Sequence, residues 1–373
     1  MKQQKQRVFG VGCFHFGYRQ QVPFQFRTER YIEALSAALK SLPSVNKLSI
    51  DHDENLKQEY HVESATATLN SGEGYFPVVS FLRINLSIYI PFRVQEEVLE
   101  STGGGSIGTE NFSILMLETY YGPVTFIECL NAPVECSPTD AVRLLRMYLK
   151  REFKKIEGPI TFEYLGPSPF HADFLLRGNP QFDGEFSSQI MPRRGYDQVI
   201  FECGTEGLPS DDDLESLYDE LDGEVGLFYS IQGRNVAFMK RWSSLVKEWE
   251  RLRELVEKKV RVINITHRIE IHRASKQLIS DAYSFGAELD IARQDREQEM
   301  TNEYDKGTPI YLDKFVRRKA EMLPQYPVAT VLGWAQHVNE ASFKQAEIVA
   351  VIFAGLIGGV VGSLVTASMG SGV

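Results

Sequence analysis

His171 and Asp173 are two residues whose types and spacing suit catalysis. They lie two positions apart in PFHADF, so an extended backbone would place both side chains on one face. A histidine beside a carboxylate can transfer protons as a general acid/base pair. The same spacing also occurs where a loop histidine is hydrogen-bonded to a neighbour, and we favour this simpler interpretation.

The glycine-rich loop STGGGSIGTE matches two catalytic patterns. Gly103, Gly105 and Gly108 fit the dinucleotide fingerprint G-x-G-x-x-G, and Ser106, between Gly104 and Gly108, fits the nucleophile elbow G-x-S-x-G. Both patterns require a strand before the loop and a helix after it. Here EEVLE precedes the loop and the strand-like NFSILMLE follows it. The order of elements therefore favours a flexible connection between strands.

The cysteines and acidic residues form no recognisable metal or disulfide pattern. Cys13 and His15 share a strand face, but two ligands do not make a zinc site. The acidic run 211–213 suits the first turn of a helix, where carboxylates complement the helix dipole. Ser210 and Asp213 would occupy the N-cap and N3 positions of that helix, which is close to a capping box. We predict no metal and no cofactor, and we expect reduced thiols in a cytosolic compartment. The cysteines are Cys13, Cys129, Cys136 and Cys203.

The composition is that of a globular protein. Hydrophobic residues make up 43% of the 373 residues and charged residues 24%, and the chain is long enough for two or more compact units. The net charge of -10 argues against nucleic-acid binding, because neutralising phosphates needs clustered Lys and Arg.

The hydrophobic pattern predicts an α+β domain with a mixed or antiparallel sheet. The run 82–90 alternates apolar and polar residues, as a half-buried antiparallel strand does. One helix has a clear start, with Ser137 as N-cap and Pro138 at the first helical position. Predicted strands are 7–18, 47–50, 61–69, 78–92, 112–121, 124–130, 160–165, 198–203 and 225–231. Predicted helices are 28–42, 138–156 and 211–221.

The region 234–304 reads as a long helical stalk. It has no Gly or Pro from 235 to 285, and its apolar residues follow alternating three- and four-residue spacing, as in a coiled coil. The β-branched run VRVINIT marks either a bend or the corner of a helical hairpin, and we favour one locally bent helix. The predicted seam consists of Trp242, Leu245, Trp249, Leu252, Val256, Leu278, Phe285 and Leu289.

The run 348–367, IVAVIFAGLIGGVVGSLVTA, predicts a transmembrane helix. Its twenty residues carry no charge, and twenty helical residues span ~30 Å, the thickness of a bilayer core. Lysines and arginines precede the run, so the positive-inside bias favours a cytoplasmic N-terminal domain and a single-pass protein, in the inner membrane if bacterial.

The same run contains two rows of small residues that predict self-association. Small residues spaced by four let helix backbones approach closely in lipid. A plain anchor needs no such rows, so we expect an oligomer. The residues are Ala350, Ala354, Gly355, Gly358, Gly359, Gly362 and Ser363.

These patterns together predict a tail-anchored membrane protein. Its parts are an α+β domain at 1–232 with a subdomain break near 166–195, a stalk at 233–305, juxtamembrane helices at 308–346 and the span at 347–368. We expect the domain to bind a protein or small-ligand partner and to regulate the membrane helices, as a signalling or membrane-disrupting effector such as a bacterial antiviral protein. The alternatives are a membrane tether that recruits a partner through the coiled coil, and a membrane-anchored hydrolase using His171, Asp173 or Ser106. The sequence favours a binding module over an enzyme.

Overall fold

The computed structural model divides the chain into two compact units. The first comprises Met1–Asn235 and Arg296–Leu323, and the second comprises Val236–Asp295 and Pro324–Val373. The residues that the structure describes are 6–18, 26–52, 59–60, 82–100, 106–133, 136–165, 172–193, 196–258, 265–305, 309–322, 324–342 and 344.

Twelve strands and seven helices lie within these residues. The strands are β1 Gln6–Gly12, β2 Phe14–Tyr18, β3 Phe26–Arg27, β4 Val45–His52, β5 Glu59–Tyr60, β6 Leu82–Tyr89, β7 Asn111–Thr119, β8 Gly122–Cys129, β9 Ile160–Tyr164, β10 Ala172–Gly178, β11 Ser187–Met191 and β12 Asp197–Cys203. The helices are α1 Thr28–Lys40, α2 Phe92–Leu99, α3 Pro138–Phe153, α4 Asp211–Glu257, α5 Ile265–Tyr304, α6 Asp313–Glu321 and α7 328–342.

The first unit is an α+β fold built on a mixed eight-stranded sheet with the order β11-β12-β10-β1-β8-β7-β6-β4. Every neighbouring pair in this sheet is antiparallel except β10 and β12, which are parallel. Two small sheets, β2 with β9 and β3 with β5, accompany it. The strands β10, β11 and β12 lie within or after the predicted subdomain break at 166–195, yet they belong to the same sheet as β1.

Hydrophobic cores cover both faces of this sheet. Along β7, Ile114 and Met116 belong to one core and Leu115 and Leu117 to the other, because successive side chains point to opposite faces. The first core contains the buried alternate residues of β6 and residues of α1, α2, α3 and the β2–β9 sheet. The second contains the N-terminal part of α4, the helix α6 and residues of β1, β10 and β12.

Helix α3 approaches β1 where the strand carries no side chain. A Cβ atom at Gly10 would lie 2.6 Å from the Pro138 carbonyl oxygen and 2.7 Å from Val142 Cγ2, and one at Gly12 would lie 3.0 Å from Val142 Cγ1. These distances are shorter than a carbon side chain tolerates, so the two glycines permit the close packing of α3 on the sheet.

Two predicted helix starts are confirmed. The Ser137 side chain accepts a hydrogen bond from the Asp140 N–H, and Pro138 occupies the first turn of α3. At the start of α4, Ser210 Oγ accepts from the Asp213 N–H at 3.0 Å while Asp213 Oδ2 accepts from the Ser210 N–H at 2.7 Å. Each motif needs only residues within one helical turn, which is why the sequence alone was sufficient.

The predicted strand at 225–231 is wrong, because this segment lies inside α4. Its apolar residues Val225, Leu227, Phe228, Tyr229 and Ile231 are all at most 3% exposed. A helix that is buried on several sides shows no polar face, and a short apolar run then cannot be distinguished from a buried strand. The predicted strand at 61–69 lies outside the described residues.

The prediction of a continuous coiled-coil stalk is also wrong. Helix α4 ends at Glu257 and α5 begins at Ile265. In the second unit, Arg241 pairs with Glu288 and Arg251 with Glu270, so the two helices run antiparallel. A helix that packs inside a hairpin has the same three- and four-residue spacing as a coiled-coil strand, so spacing did not separate them.

The second unit buries most of the predicted seam within one chain. Leu245, Leu252, Leu278, Phe285 and Leu289 form a cluster with Val331, Ala335 and Val338 of α7. Trp242 and Trp249 pack partly buried against this cluster. Val256 is 43% exposed and lies outside it. The apolar side chains of α4, α5 and α7 therefore pack against one another within one chain.

The prediction of a tail-anchored membrane protein is wrong as far as the structure describes the chain. Over the described residues, no helix is both long and apolar enough to cross a bilayer. The long helices α4 and α5 carry charged residues throughout. The predicted span 348–367 and its small-residue rows lie outside the described residues. The predicted transmembrane helix is wrong on this finding, and so are the effector function and single-pass location that depend on it. Self-association of the chain stays a prediction.

Replacing Gly10 with alanine should destabilise the first unit by about 1–3 kcal/mol, because the new Cβ would meet the backbone of α3. The matched control is Gly158→Ala, whose Cβ would find its nearest neighbour, Ile156 Cγ2, at 4.0 Å. Urea unfolding followed by far-ultraviolet circular dichroism measures both changes. Equal effects of the two substitutions would contradict the close approach of α3 to β1.

Replacing Leu252 with alanine should destabilise the second unit by about 2–5 kcal/mol, because Leu252 is 0% exposed in the helical cluster. Val256→Ala, at an exposed position, should change stability little. All three tryptophans, Trp242, Trp249 and Trp334, lie in this unit, so tryptophan fluorescence reports its unfolding. A midpoint that rises with protein concentration would instead indicate a coiled coil between chains.

Candidate functional site

The structure gives Asp173 a structural role at the start of α3. Its Oδ1 atom accepts hydrogen bonds from the Thr139 backbone N–H at 3.0 Å and from Thr139 Oγ1 at 2.8 Å. Burial raises the pKa of Asp173, while the two bonds from Thr139 favour its charged form. His171 lies outside the described residues. Asp173 is therefore placed as a cap of α3, a role that requires no histidine partner.

The second half of the glycine loop is a structural connection. It follows helix α2 and precedes strand β7, the reverse of the order that both catalytic patterns require. The buried Gln95 holds this connection: its Nε2 donates to the carbonyls of Ile90 and Thr109, and its Oε1 accepts from the Ile107 N–H. Ser106 is exposed beside this anchor.

A pocket in the first unit brings together polar residues that no sequence pattern associated with each other. It encloses about 260 Å³ of space free of protein atoms, with its solvent-open mouth included. Most of its wall is apolar or aromatic, and its polar members are His15 and Glu118. The lining residues are Phe14, His15, Phe16, Tyr31, Leu82, Ile84, Met116, Leu117, Glu118 and Pro123.

His15 and Glu118 form an ion pair or hydrogen bond at the pocket. His15 Nδ1 lies 3.1 Å from Glu118 Oε1, and their side chains are 6% and 11% exposed. Strand β2 positions the histidine and β7 the glutamate. In a site so shielded from water, the electrostatic interaction between two such groups is stronger than at the surface.

The path of the backbone explains how His15 reaches this position. Strand β1 pairs with β8 up to Gly12, and the next strand, β2, pairs with β9 in a different sheet. At the transfer, the Phe14 N–H donates to Thr125 Oγ1 at 3.0 Å and the Cys13 carbonyl accepts from the Leu165 N–H at 3.1 Å. The buried backbone groups therefore keep their hydrogen bonds while the chain changes sheets.

Cys13 lies near this pair but is not a nucleophile. It is 2% exposed, and burial, together with the negative charge of Glu118, raises the pKa of its thiol far above the ordinary value. Only the thiolate attacks or binds metal. The sequence had paired Cys13 with His15 on one strand face but contained no signal for Glu118, which comes from a distant strand.

Two other carboxylates of the first unit, Glu224 and Glu303, are also buried and hydrogen-bonded. Glu224, 4% exposed, accepts hydrogen bonds from the Tyr311 and Leu312 N–H groups, each at 2.8 Å. Burial raises the pKa of Glu224 to about 7, although these two donors favour the charged form. Glu303 Oε2 accepts from the Tyr121 hydroxyl at 2.9 Å. Glu224 thus fixes the chain immediately before α6.

The described part of the chain contains no group of three or more His, Cys, Asp or Glu side chains arranged to hold a metal ion. Comparison with protein families, with curated proteins and with solved structures finds no match to this chain. Any function must therefore be argued from the geometry.

The stability of the protein should depend on pH through Glu224. Its folded-state pKa of about 7 exceeds the value of about 4.3 expected in an unfolded chain, so the folded state binds this proton more tightly. The stabilising effect of protonation is present at low pH and is lost as pH rises from about 4.3 to about 7, on the order of 3 kcal/mol in total.

The test is to compare unfolding free energies of the wild type and Glu224→Gln over this pH range. The difference between the two proteins should change with pH in the stated direction, since glutamine does not titrate. The control Glu97→Gln removes an exposed carboxylate of α2 and should leave the pH dependence unchanged. A constant difference between wild type and Glu224→Gln would show that the pKa of Glu224 is the same in the folded and unfolded states, contrary to the prediction.

Proposed function

We propose that this chain is a small-ligand-binding protein and that the pocket at His15 and Glu118 binds a compact organic amine in its protonated form. The observation that supports this is the combination of an aromatic wall with one largely shielded carboxylate, that of Glu118, whose side chain is 11% exposed. Aromatic faces attract cations, and a shielded carboxylate attracts them more strongly than an exposed one.

The aromatic part of the wall is fixed by its own packing. Phe14 and Phe16 both contact Phe162 of β9, with ring centroids 5.3 and 5.6 Å apart. The Tyr31 hydroxyl donates to the Phe16 carbonyl at 2.8 Å, which fixes its ring relative to β2. A preformed wall costs little entropy to order when a ligand arrives.

The charge of the pocket favours a cation. The negative charge of Glu118 contributes to the raised pKa of the nearby Cys13 thiol, so this region disfavours a second negative charge. His15 Nδ1 is paired with one carboxylate oxygen of Glu118, Oε1, and a carboxylate has a second oxygen that can accept. An ammonium group could then bind the carboxylate while its alkyl part contacts Leu82, Ile84 and Met116.

The size of the pocket sets an upper limit on the ligand. The value of about 260 Å³ includes open solvent at the mouth, so the enclosed part of the pocket is far smaller than sites for drug-sized molecules, which enclose about 300–1,000 Å³. Only a small ammonium ion whose alkyl part stays at the open mouth meets this limit.

Isobutylammonium should bind the wild-type protein and shift the methyl resonances of the pocket residues Leu82, Ile84 and Met116. Binding should weaken about tenfold or more in Glu118→Gln, which keeps the shape of the side chain and removes its charge. Methyl-detected nuclear magnetic resonance titrations measure both affinities.

Two controls separate charge from shape. Isobutanol has the same alkyl part without the charge and should bind much more weakly. Glu97→Gln makes the same change of net charge at a surface position and should leave affinity unaltered. Equal binding of the alcohol and the amine, or an unchanged affinity of Glu118→Gln, would overturn the amine site, as would shifts confined to residues outside the pocket.

A further inference from the structure

Three positively charged side chains, Arg143, Arg146 and Lys150, form a basic face on helix α3. They are spaced by three and four positions, so they are neighbours on the helix surface. Arg143 and Arg146 are partly buried, and Lys150 is exposed. Like charges in this arrangement repel one another, and they occur here in a chain whose net charge is -10. The basic face of α3 is therefore a local positive site on an acidic protein.

Tyr164, the last residue of β9, lies beside the basic face of α3. The guanidinium carbon of Arg146 is 4.8 Å from the centre of the Tyr164 ring, and Lys150 Nζ is 5.2 Å from it. Lys150 Nζ also donates to the Tyr164 hydroxyl at 3.3 Å. Attraction to the ring limits the positions that these two long side chains adopt. Two cations and a hydroxyl group are thereby held together before a ligand arrives, which lowers the entropy cost of binding.

The donors of this group suit an anion with several oxygens. A phenol can accept and donate, so Tyr164 can accept from Lys150 and still donate its own hydrogen. Lysine carries three N–H donors and arginine five, the latter in a planar fork that binds two oxygens at once. A phosphate group presents enough oxygens for all of these donors, whereas a single carboxylate presents two.

Acidic residues close in sequence do not occupy the whole of this face. Glu152 pairs with two neighbouring basic residues at 2.9 and 2.8 Å. Glu163 precedes Tyr164 in β9, and successive side chains of a strand point to opposite faces. Asp140 lies in the first turn of α3, about 15 Å along the helix from Lys150. The end of the face at Lys150 and Tyr164 is therefore accessible to an anion from solution.

Partial burial makes the charge of Arg146 more costly than that of a surface arginine. Burial lowers the pKa of Arg146, Tyr164 raises it, and the nearby Arg143 lowers it. An arginine nevertheless stays charged at neutral pH. A charge that has lost part of its water gains more from a bound anion than a fully hydrated charge does.

We propose that the basic face of α3 and Tyr164 form a binding site for a phosphate group, carried by free phosphate or by a small phosphorylated molecule. Arg146 binds two phosphate oxygens with its planar fork, while Lys150 Nζ and the Tyr164 hydroxyl donate to the others. Arg143 adds positive charge beside them. The proposal is independent of the amine pocket, which disfavours negative charge.

Titration of the folded, full-length protein with inorganic phosphate at constant ionic strength should shift the amide resonance of Tyr164 and the Nε–H resonance of Arg146. Arg146→Gln and Lys150→Gln should each weaken binding about tenfold, because each removes a charged hydrogen-bond donor. Lys150 is exposed, so its replacement leaves the fold intact. Nuclear magnetic resonance titrations measure these affinities.

The matched control is Arg93→Gln on α2, which makes the same change of net charge at a side chain that is 90% exposed. It should leave the affinity for phosphate unaltered. Acetate at the same ionic strength should produce much smaller shifts at Tyr164. Equal effects of all three substitutions, equal binding of acetate, or no shift at Tyr164 in the wild type would each overturn the phosphate site.

Tyr164→Phe keeps the ring and removes the hydroxyl donor, so phosphate should bind severalfold more weakly. An unchanged affinity would contradict the donor role of this hydroxyl. Phenyl phosphate distinguishes the two sources of the phosphate group. Tighter binding than that of inorganic phosphate would support a phosphorylated organic molecule, and equal binding would support free phosphate. Binding of neither compound would overturn the proposal.

Discussion

The transfer of the chain from one sheet to another at Cys13 is the constraint on which the first unit depends. A strand that leaves a sheet inside a protein would lose hydrogen bonds to buried backbone groups, at a cost of about 1–3 kcal/mol for each unsatisfied group. Here Thr125 Oγ1 and the Leu165 N–H supply the missing partners on either side of the transfer. Because these partners exist, one continuous segment can place Phe9 in the eight-stranded sheet and His15 at the pocket.

Helix α3 packs directly on this central strand. Its close approach to β1 depends on Gly10 and Gly12, and its first turn is capped by Ser137 and Asp173. The packing of α3 therefore depends on residues of β1 and β10 that lie far from the helix in sequence.

Sequence patterns predicted the features that arise within a few residues of one another. The caps at Ser137 and Ser210 and the alternation along β6 belong to this kind, because each is determined by local backbone geometry. The hairpin of α4 and α5 was one of two alternatives for the run VRVINIT, and the bent helix was wrongly favoured because the apolar spacing of a hairpin is also that of a coiled coil. The His15–Glu118 contact was missed because two strands that are distant in sequence bring the side chains together, and local patterns do not encode that arrangement.

Among the described residues of the first unit, the buried and half-buried carboxylates discussed above have two kinds of surroundings. Most hold the fold by binding donors of the chain itself: Glu128 binds Arg7, Asp173 binds Thr139, Glu224 binds two backbone N–H groups and Glu303 binds Tyr121. Glu118 also has a partner in His15, but it lines a pocket that opens to solvent. A buried charge is costly unless its partners compensate for lost water, so a carboxylate with space beside it gains more from a cationic ligand than one whose neighbours are all protein.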